Sequence, residues 1–430
     1  MKKLICLCLA SLLCLAGCSG SPKSPTSDGD SLFKAGTYTG TGKGNNDSIT
    51  VEVTFTDTEI ASITIKEHQE TAGISDPAIE KIPQSVMSSQ SLAVDTVAGA
   101  TKSSKGILEA IEDCVVQAGG DAEQLKKVAN QTAKTKTEES RDTDVIVVGS
   151  GITGMSAALS AKEAGADVVV IEKQAVTGGT TAIAGGYLIS IDSKLYDDTD
   201  FDDSLDTFRK YWDERMSYSG QQSGYPDETR WEEIVSKTGE TVDWLQEKGV
   251  TWEVFTGFGP YPTAHNPLGG RGLIDEMVKI AENQGIEVIT ECKGEKLVID
   301  DQGAVVGVVA ETADKVITYN ASSVVLATGG ISANGEMVKQ YSPKVAQAQT
   351  ISVAAAGSTG DGMTMALEAG AVPFENFFTS ICATTVDPRL ASQVEEAAKL
   401  TTNKQLGVNA KGERFASESA VYYDALGSDM

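Results

Sequence analysis

The feature that most constrains the fold is a glycine pattern between a buried strand and a helix. The apolar run Val145–Val148 leads into Gly149-x-Gly151-x-x-Gly154, and helical spacing follows. Gly149 permits a tight turn, Gly151 lets the main chain approach a pyrophosphate, and Gly154 lets the helix pack on the strand. Free N–H groups at the helix N-terminus favour an anion there. The pattern therefore predicts a Rossmann-like βαβ unit that binds a dinucleotide.

Further stretches of small residues extend this prediction to a long cofactor. Glu172 ends the second strand, 18 residues after Gly154, where a carboxylate would bind ribose hydroxyls. The loop "TGGTTAIAGG" (177–186) follows closely, and its small residues let main-chain groups and hydroxyls reach a second part of the cofactor. The strand "VVLATGG" (324–330) and the stretch "GSTGDGMTMALEAGA" (357–371) complete the set.

Together these motifs resemble the flavoprotein subunit family of fumarate reductase and succinate dehydrogenase, in its soluble flavocytochrome-like branch, over about residues 142–415. The resemblance implies an α/β fold, with a Rossmann-like FAD-binding domain of residues 142–376 and the start of an α+β cap domain at residues 377–430. It implies non-covalent FAD, with Glu172 on the adenosine ribose. The other implied FAD-binding residues are Gly149, Gly151, Gly154, Lys173, Gly178, Gly179, Thr180, Thr181, Gly185, Gly186, Thr328, Gly329 and Asp361.

Residues 33–119 are predicted to form a separate, small α+β unit. Residues 36–67 alternate as strands do, and a helix can begin at Ser75 or Asp76, before a proline that suits its first turn. Apolar residues then recur at helical spacing in "SSKGILEAIEDCVVQAG". The polar residues 120–141 that follow are predicted to be a linker.

Within this unit, "VDTVAGATKSS" places a threonine after Gly-Ala at the foot of the predicted helix. The motif Asp95-x-x-x-Gly99-Ala100-Thr101 resembles the site at which flavin transferases modify covalent FMN-binding domains. The resemblance implies a phosphoester between FMN and the Thr101 hydroxyl, with the phosphate charge stabilised by the helix N-terminus. The alternative is a threonine that only begins a helix.

The N-terminus predicts an exported protein that is lipid-anchored to the outer face of the bacterial cell membrane. Lys2 and Lys3 precede an apolar run too short to span a membrane, as in a signal peptide of residues 1–18. The closing "LAGC" resembles the lipobox of bacterial lipoproteins, which implies cleavage before Cys18 and lipid on its thiol. Residues 19–32 are rich in Ser, Pro, Gly and Asp, which is typical of a flexible linker. An ordinary signal peptide with an incidental cysteine is the alternative.

Composition argues against some partners and sites. The formal net charge of −26 argues against nucleic acid, since the chain could not neutralise phosphates in bulk. Beyond the predicted signal peptide only Cys114, Cys292 and Cys382 remain, and three scattered cysteines predict neither a metal cluster nor a disulfide framework. The two histidines, His68 and His265, are too few for a histidine-rich metal site. No metal is therefore expected.

The family resemblance also implies a reaction, hydride transfer from reduced FAD to a C=C bond conjugated to a carboxylate. Where that family carries a substrate histidine and a proton-donating arginine, this sequence has residues at or near Cys382 and Tyr422, followed by Tyr423. Tyr422 or Tyr423 is a candidate proton donor, and packing or cofactor contact is the alternative. His265 and Arg271 are candidates for contact with the substrate, with a loop-structuring role as the alternative for His265.

These departures favour a monocarboxylate, such as urocanate or an acrylate- or cinnamate-like acid, over fumarate. Electrons would pass from a membrane or extracellular donor through the covalent FMN to FAD, and a flavin transferase is an implied partner. The family continues beyond the position of Met430, so a C-terminally truncated chain is expected. Two alternatives stay open: a non-catalytic, membrane-anchored FMN electron carrier, and a ketosteroid-type flavin dehydrogenase that uses the tyrosine pair.

Overall fold

The computed structural model describes residues 31–71, 74–127, 136–218, 228–256, 263–343, 346 and 354–373. The predicted signal peptide with Cys18, and the predicted cap start with Tyr422 and Tyr423, lie outside these ranges. No helix in the described ranges is both long enough and apolar enough to cross a membrane.

The N-terminal unit is an antiparallel sheet covered by helices. Its strands are β1 (Gly36–Lys43), β2 (Ser48–Phe55) and β3 (Ile60–Glu67), hydrogen-bonded in that order. Its helices are α1 (Asp76–Ser89), α2 (Thr101–Gln117) and α3 (Ala122–Lys127). Every second residue of β2 from Ile49 to Phe55 is buried, because one face of the sheet packs against the helices.

Two glycines of β1 let α2 lie directly on this sheet. A Cβ at Gly40 would come within 2.2 Å of the Ala110 carbonyl oxygen, and a Cβ at Gly42 within 2.0 Å of the Gly106 carbonyl oxygen. No side chain fits at such distances, so the close approach of helix and strand requires glycine at both positions. This packing fixes the start of α2, where Thr101 is the first helical residue.

The second unit contains nine strands among the described residues. They are β4 (Thr137–Val148), β5 (Val168–Ile171), β6 (Tyr187–Ile189), β7 (Glu253–Phe255), β8 (Thr263–His265), β9 (Glu287–Ile289), β10 (Lys293–Ile299), β11 (Val305–Glu311) and β12 (Lys315–Leu326). A six-stranded sheet has the order β10-β11-β12-β4-β5-β9, and a small antiparallel sheet has the order β6-β8-β7. In the large sheet, β12, β4, β5 and β9 are parallel.

The helices of this unit complete a Rossmann-like architecture. They are α4 (Ile152–Glu163), α5 (Gly179–Ile183), α6 (Leu205–Tyr218), α7 (Glu228–Val235), α8 (Thr238–Lys248), α9 (Gly269–Asn283), α10 (Gly335–Tyr341) and α11 (Asp361–Glu368), with a short 3₁₀ helix at Lys194–Tyr196. Helices α4 and α9 pack on one face of the large sheet, and a second core lies on the other face. The parallel β4-α4-β5 crossover confirms the predicted α/β fold class.

The segment 120–141, predicted to be a linker, contains more structure than its composition suggests. It includes α3 and the first five residues of β4, which begins at Thr137. The reason is non-local: β12 pairs with β4 in parallel register from Lys315 opposite Thr137 to Leu326 opposite Val148. Main-chain hydrogen bonds to a strand nearly 180 residues later hold these polar residues in the sheet. The local sequence therefore did not predict that they form a strand.

Candidate functional site

A cavity of about 520 Å³ opens at the carboxyl ends of the parallel strands β12, β4 and β5. Ligands bind at this edge in open α/β sheets, because the strands end there and helices begin. The cavity is lined by the predicted FAD-binding residues Gly149, Gly151, Glu172, Lys173, Gly179, Thr180, Thr181, Thr328, Gly329 and Asp361. Four motifs that are distant in sequence thus meet at one site.

The glycine pattern shapes the floor of the cavity. Gly149 has φ +110°, and a Cβ there would lie 2.3 Å from the Ala327 carbonyl oxygen, so the turn requires glycine. A Cβ at Gly154 would lie 1.9 Å from the Gly149 carbonyl oxygen, which explains why the helix can approach the strand. At Gly151, by contrast, an added Cβ would meet no atom nearer than 3.7 Å, and the residue lines the cavity at the α4 N-terminus. A helix N-terminus favours an anionic group such as a pyrophosphate.

Glu172 presents a buried, hydrogen-bonded carboxylate to the cavity. One oxygen accepts hydrogen bonds from the Ser150 N–H (3.0 Å) and hydroxyl (2.7 Å), and the other accepts from the Gln174 N–H (2.8 Å). These donors fix the orientation of the carboxylate and leave acceptor capacity for ribose hydroxyls. Ser150 also accepts a hydrogen bond from the Gly178 N–H (3.1 Å), which ties the second loop to the first.

The opposite wall of the cavity is an ion pair. The Lys173 ammonium donates to Asp361 (2.5 Å) and to the Thr359 hydroxyl (2.6 Å), and both charged side chains are mostly buried. Thr328 accepts a hydrogen bond from the Gly362 N–H (3.1 Å), so the N-terminus of α11 is fixed on the end of β12. Because their charges are paired, Lys173 and Asp361 can line a cofactor site without an isolated buried charge.

The loop after Glu172 has two parts with different surroundings. Gly179, Thr180 and Thr181 line the cavity, and the Thr181 hydroxyl accepts from the Ile152 N–H (3.2 Å) at the start of α4. The other predicted glycines of this loop are not among the residues that line the cavity. Gly186 packs against the start of α9, where a Cβ would come within 2.5 Å of main-chain atoms of residue 269, and Gly185 packs against the Tyr187 ring.

His265 and Arg271 lie outside the lining of this cavity, in contacts that shape the surrounding loops. His265 Nδ1 is 2.9 Å from a Glu253 carboxylate oxygen, and its ring stacks on Tyr187 with centroids 4.3 Å apart. Arg271 donates to the Thr177 carbonyl (2.8 Å) and pairs with Asp275. Both side chains form polar contacts within the protein. A role in structuring the loops accounts for these contacts of His265 and Arg271.

The predicted FMN-attachment motif forms an exposed turn at the foot of α2. Asp95 and Thr101 are exposed, Ala100 is buried, and Gly99 has φ +86°. Beneath the turn lies a carboxylate that the sequence analysis did not single out. Glu70, which is 8% exposed, accepts from the Ser103 hydroxyl and from a main-chain N–H of the β1–β2 loop. It anchors the first turn of α2 and thereby holds Thr101 at the surface.

Cysteine chemistry and metals contribute little to the described sites. Cys292 lines the cavity, and its burial raises the pKa of its thiol to about 11, so it stays protonated at neutral pH. Burial also raises the pKa of Cys114 to about 11. Within the described ranges, no group of three or more His, Cys, Asp or Glu side chains could hold a metal ion.

The cavity fits FAD on two structural grounds. The α4 N-terminus at Gly151 lines the cavity, which suits a pyrophosphate. The buried Oε1 of Gln174 has no hydrogen-bond partner among the described residues, although Gln174 lines the cavity. Adenosine carries amino and hydroxyl donors that suit such an acceptor. Sequence analysis missed Gln174 and Ser150, because a polar residue beside a glycine turn or an acidic residue has no distinctive pattern.

Comparison with known proteins agrees with this geometry. Residues 144–428 match the model of the FAD binding domain family, and residues 44–116 match the FMN-binding domain family. Urocanate reductase from Eggerthella lenta is 31% identical over 422 residues, covering 95% of this chain and 68% of that protein. NADH:acrylate oxidoreductase from Vibrio harveyi is 28% identical, and this chain spans only 44% of its length while 90% of this chain is covered.

Among solved structures, the 3-ketosteroid-Δ4-(5α)-dehydrogenase from Rhodococcus jostii RHA1 is similar with a TM-score of 0.55 and 26% identity. The similarity covers 69% of this chain and 65% of that chain. The family matches assign FAD to the larger unit and FMN to the smaller one, and the cavity residues agree with FAD. The chain belongs to the FAD binding domain family, and it carries an FMN-binding domain ahead of that domain.

Proposed function

We propose that this chain belongs to a flavin-dependent oxidoreductase that reduces the C=C bond of an unsaturated carboxylate, with electrons relayed from FMN to FAD. The single observation that carries the proposal is the presence of both flavin domains in one chain, in the order FMN then FAD. Urocanate reductase matches this chain over 95% of its length, and an acrylate oxidoreductase over 90%.

The residues of the cavity have separate tasks in this proposal. Bound FAD supplies hydride transfer at its isoalloxazine ring. Glu172 binds the adenosine ribose through the acceptor capacity that Ser150 and Gln174 leave free. The α4 N-terminus at Gly151 stabilises the pyrophosphate, and the paired Lys173 and Asp361 close the opposite wall without adding net charge.

We assign the substrate to the monocarboxylate class, such as urocanate or an acrylate- or cinnamate-like acid, and the proton donor to Tyr422 or Tyr423. Supporting this choice, the sequence has a tyrosine pair where the fumarate-reducing family has its donor arginine. In addition, the Arg271 guanidinium is engaged by Thr177 and Asp275, so it is not free to clamp a second carboxylate.

Anaerobic flavin reoxidation tests this function. The full chain, co-expressed with a flavin transferase and loaded with FAD, is reduced and mixed separately with urocanate, acrylate, cinnamate and fumarate. We expect the flavin absorbance to return with at least one monocarboxylate, and more slowly with fumarate. Two bound flavins that no enoate reoxidises would contradict the reductase and favour the electron carrier. Tyr422→Phe and Tyr423→Phe then separate the two candidate donors.

A ketosteroid-type flavin dehydrogenase is the second candidate. It is favoured by the structural similarity to a 3-ketosteroid dehydrogenase, which covers 69% of this chain. The reverse experiment decides between the two functions. A saturated 3-ketosteroid added to the oxidised holoprotein would bleach the flavin absorbance if this candidate is correct, and would leave it unchanged if the chain is a carboxylate reductase.

We further propose that the protein is exported and attached by lipid at Cys18 to the outer face of the cell membrane, where a membrane or extracellular donor reduces the FMN. The supporting pattern is the "LAGC" box after a short apolar run. Cys18→Ser is expected to abolish incorporation of labelled fatty acid and release the protein from the membrane fraction. Labelling that survives this substitution would contradict the anchor.

A further inference from the structure

One short segment, residues 172–175, contacts both flavin sites. Glu172 and Gln174 line the FAD cavity. Ala175 packs against the core of the N-terminal unit, and its N–H lies 3.4 Å from the Ala98 carbonyl oxygen in the FMN-attachment turn. Consecutive positions of one segment therefore contact the two domains.

The side chain of Gln174 lies between the two sites. A Cβ placed on Gly99 would be 2.6 Å from Gln174 Oε1, and a Cβ placed on Gly357 would be 3.2 Å from Gln174 Nε2. Both neighbours are glycines, so the amide fits between the attachment turn and the cavity wall. Its Oε1 is buried and finds no donor in the described part of the chain. The Nε2 side of the amide therefore faces the cavity wall, and the Oε1 side faces the attachment turn.

A second contact fixes the same orientation of the two domains. The Glu291 N–H donates to the Gln174 carbonyl oxygen (2.9 Å), and the Glu291 side chain pairs with Lys81 of α1. Glu291 has φ +54°, a left-handed conformation that a non-glycine residue adopts only when its surroundings hold it. The next two residues, Cys292 and Lys293, line the cavity.

We propose that residues 172–175 couple the two cofactor sites, so that FAD binding and docking of the FMN domain stabilise each other. FAD in the cavity would contact the Gln174 amide on its Nε2 side, beside Gly357. That contact would hold Oε1 against Gly99 and seat the attachment turn on Ala175. Such coupling is reciprocal. The factor by which FAD raises the equilibrium constant for docking equals the factor by which docking raises the affinity for FAD. Thr101, two residues after Gly99, is then held beside the adenosine end of the FAD site.

A disulfide between the two domains measures docking directly. The Ala175 N–H meets the Ala98 carbonyl oxygen, so these two positions are neighbours and are suitable for paired cysteines. We compare Ala98→Cys/Ala175→Cys with the control Ala98→Cys/Gln302→Cys in the full FMN-carrying chain. Gln302 lies in the exposed turn at the far end of β10, about 20 Å along that strand. Linked peptides are quantified by mass spectrometry during mild oxidation, before and after removal of FAD.

The 98–175 pair is expected to cross-link at least tenfold faster than the control pair, and FAD is expected to speed it at least threefold. A rate no faster than the control overturns the docking, and a rate that FAD leaves unchanged overturns the coupling. These readouts need no substrate turnover, so they are independent of the proposed reductase activity.

Gln174→Met separates the polar contact of the amide from packing, because methionine keeps the length of the side chain and loses the amide. In the 98–175 cysteine pair, this variant is expected to cross-link at the same rate with and without FAD, and to bind FAD three- to tenfold more weakly. Gln302→Met, on the exposed turn, should change neither value. Acceleration by FAD that persists in Gln174→Met would overturn the role of the amide.

Discussion

At the scale of single residues, the FAD site depends on polar groups whose partners come from distant parts of the chain. Glu172 is oriented by Ser150 and Gln174, and the Lys173 ammonium by Thr359 and Asp361. The sequence predicted Glu172 from its position at the end of a strand, and the family resemblance implied Asp361 separately. They could not predict the ion pair with Lys173, because 188 residues separate its partners.

Glu172→Gln is expected to weaken FAD binding by roughly 10- to 100-fold, since a charge-assisted hydrogen bond is worth about 1.5–3 kcal/mol. The amide would also turn an N–H group toward the Ser150 or Gln174 donors, which need an acceptor. Fluorescence titration of FAD-free protein measures the affinity. Glu247→Gln, an exposed carboxylate on α8, is the matched control. A loss of less than threefold would show that the carboxylate does not bind the cofactor.

Thr101→Ala is expected to abolish covalent FMN, and Thr101→Ser to retain it, because the phosphoester needs a hydroxyl at this exposed position. Intact-protein mass after co-expression with a flavin transferase reports the adduct as FMN less one water. Ser103→Ala serves as a comparison, since this hydroxyl is buried and bonded to Glu70. FMN that remains attached in Thr101→Ala would place the modification elsewhere and would remove the FMN relay from this position.

At the scale of elements, glycines set how closely helices and strands approach. The "GTYTGTGKG" stretch was predicted as a strand from its alternation, and β1 occupies it. That same pattern did not reveal that Gly40 and Gly42 face the main chain of α2, since a glycine in a strand is equally consistent with a bulge or an edge. Packing between elements, unlike their periodicity, depends on contacts about 70 residues apart.

Gly42→Ala is expected to destabilise the N-terminal unit by about 1–3 kcal/mol, because its Cβ would lie 2.0 Å from a carbonyl oxygen of α2. Both groups belong to the main chain, so relief requires the helix and the strand to separate. Chemical unfolding followed by circular dichroism measures the loss. Gly335→Ala, in α10 where a Cβ meets no atom within 4 Å, is the control and should be neutral or stabilising. Equal stability of the two variants would contradict this packing.

At the scale of the whole molecule, the sequence predicted both cofactors, because each flavin motif is local and short. The sequence did not predict the interface between the domains. The contacts of Gln174 with Gly99 and of Lys81 with Glu291 join residues 75 or more positions apart, and no periodicity marks them. The segment 120–141 illustrates the same limit, since pairing with β12 turns part of a polar stretch into a strand.

The stability of the whole chain is expected to fall as pH rises between about 9 and 11. Burial raises the pKa of both Cys114 and Cys292 from 9.0 to about 11. In this interval the unfolded thiols lose their protons while the folded thiols keep them, so the native state binds more protons and loses stability with each increase in pH. Their contribution is fully present below pH 9 and is lost as pH passes the folded pKa.

Urea unfolding at half-unit intervals from pH 8 to pH 11 measures this slope, which is up to about 1.4 kcal/mol per pH unit for each thiol. Cys114→Ala has a lower stability throughout, because the buried side chain is truncated. Its slope above pH 9, however, should be smaller than that of the parent chain by about one proton. The slope, unlike the absolute stability, responds only to the titrating group. An unchanged slope in Cys114→Ala would mean that this thiol ionises equally in the folded and unfolded states, which contradicts its burial between α2 and the sheet.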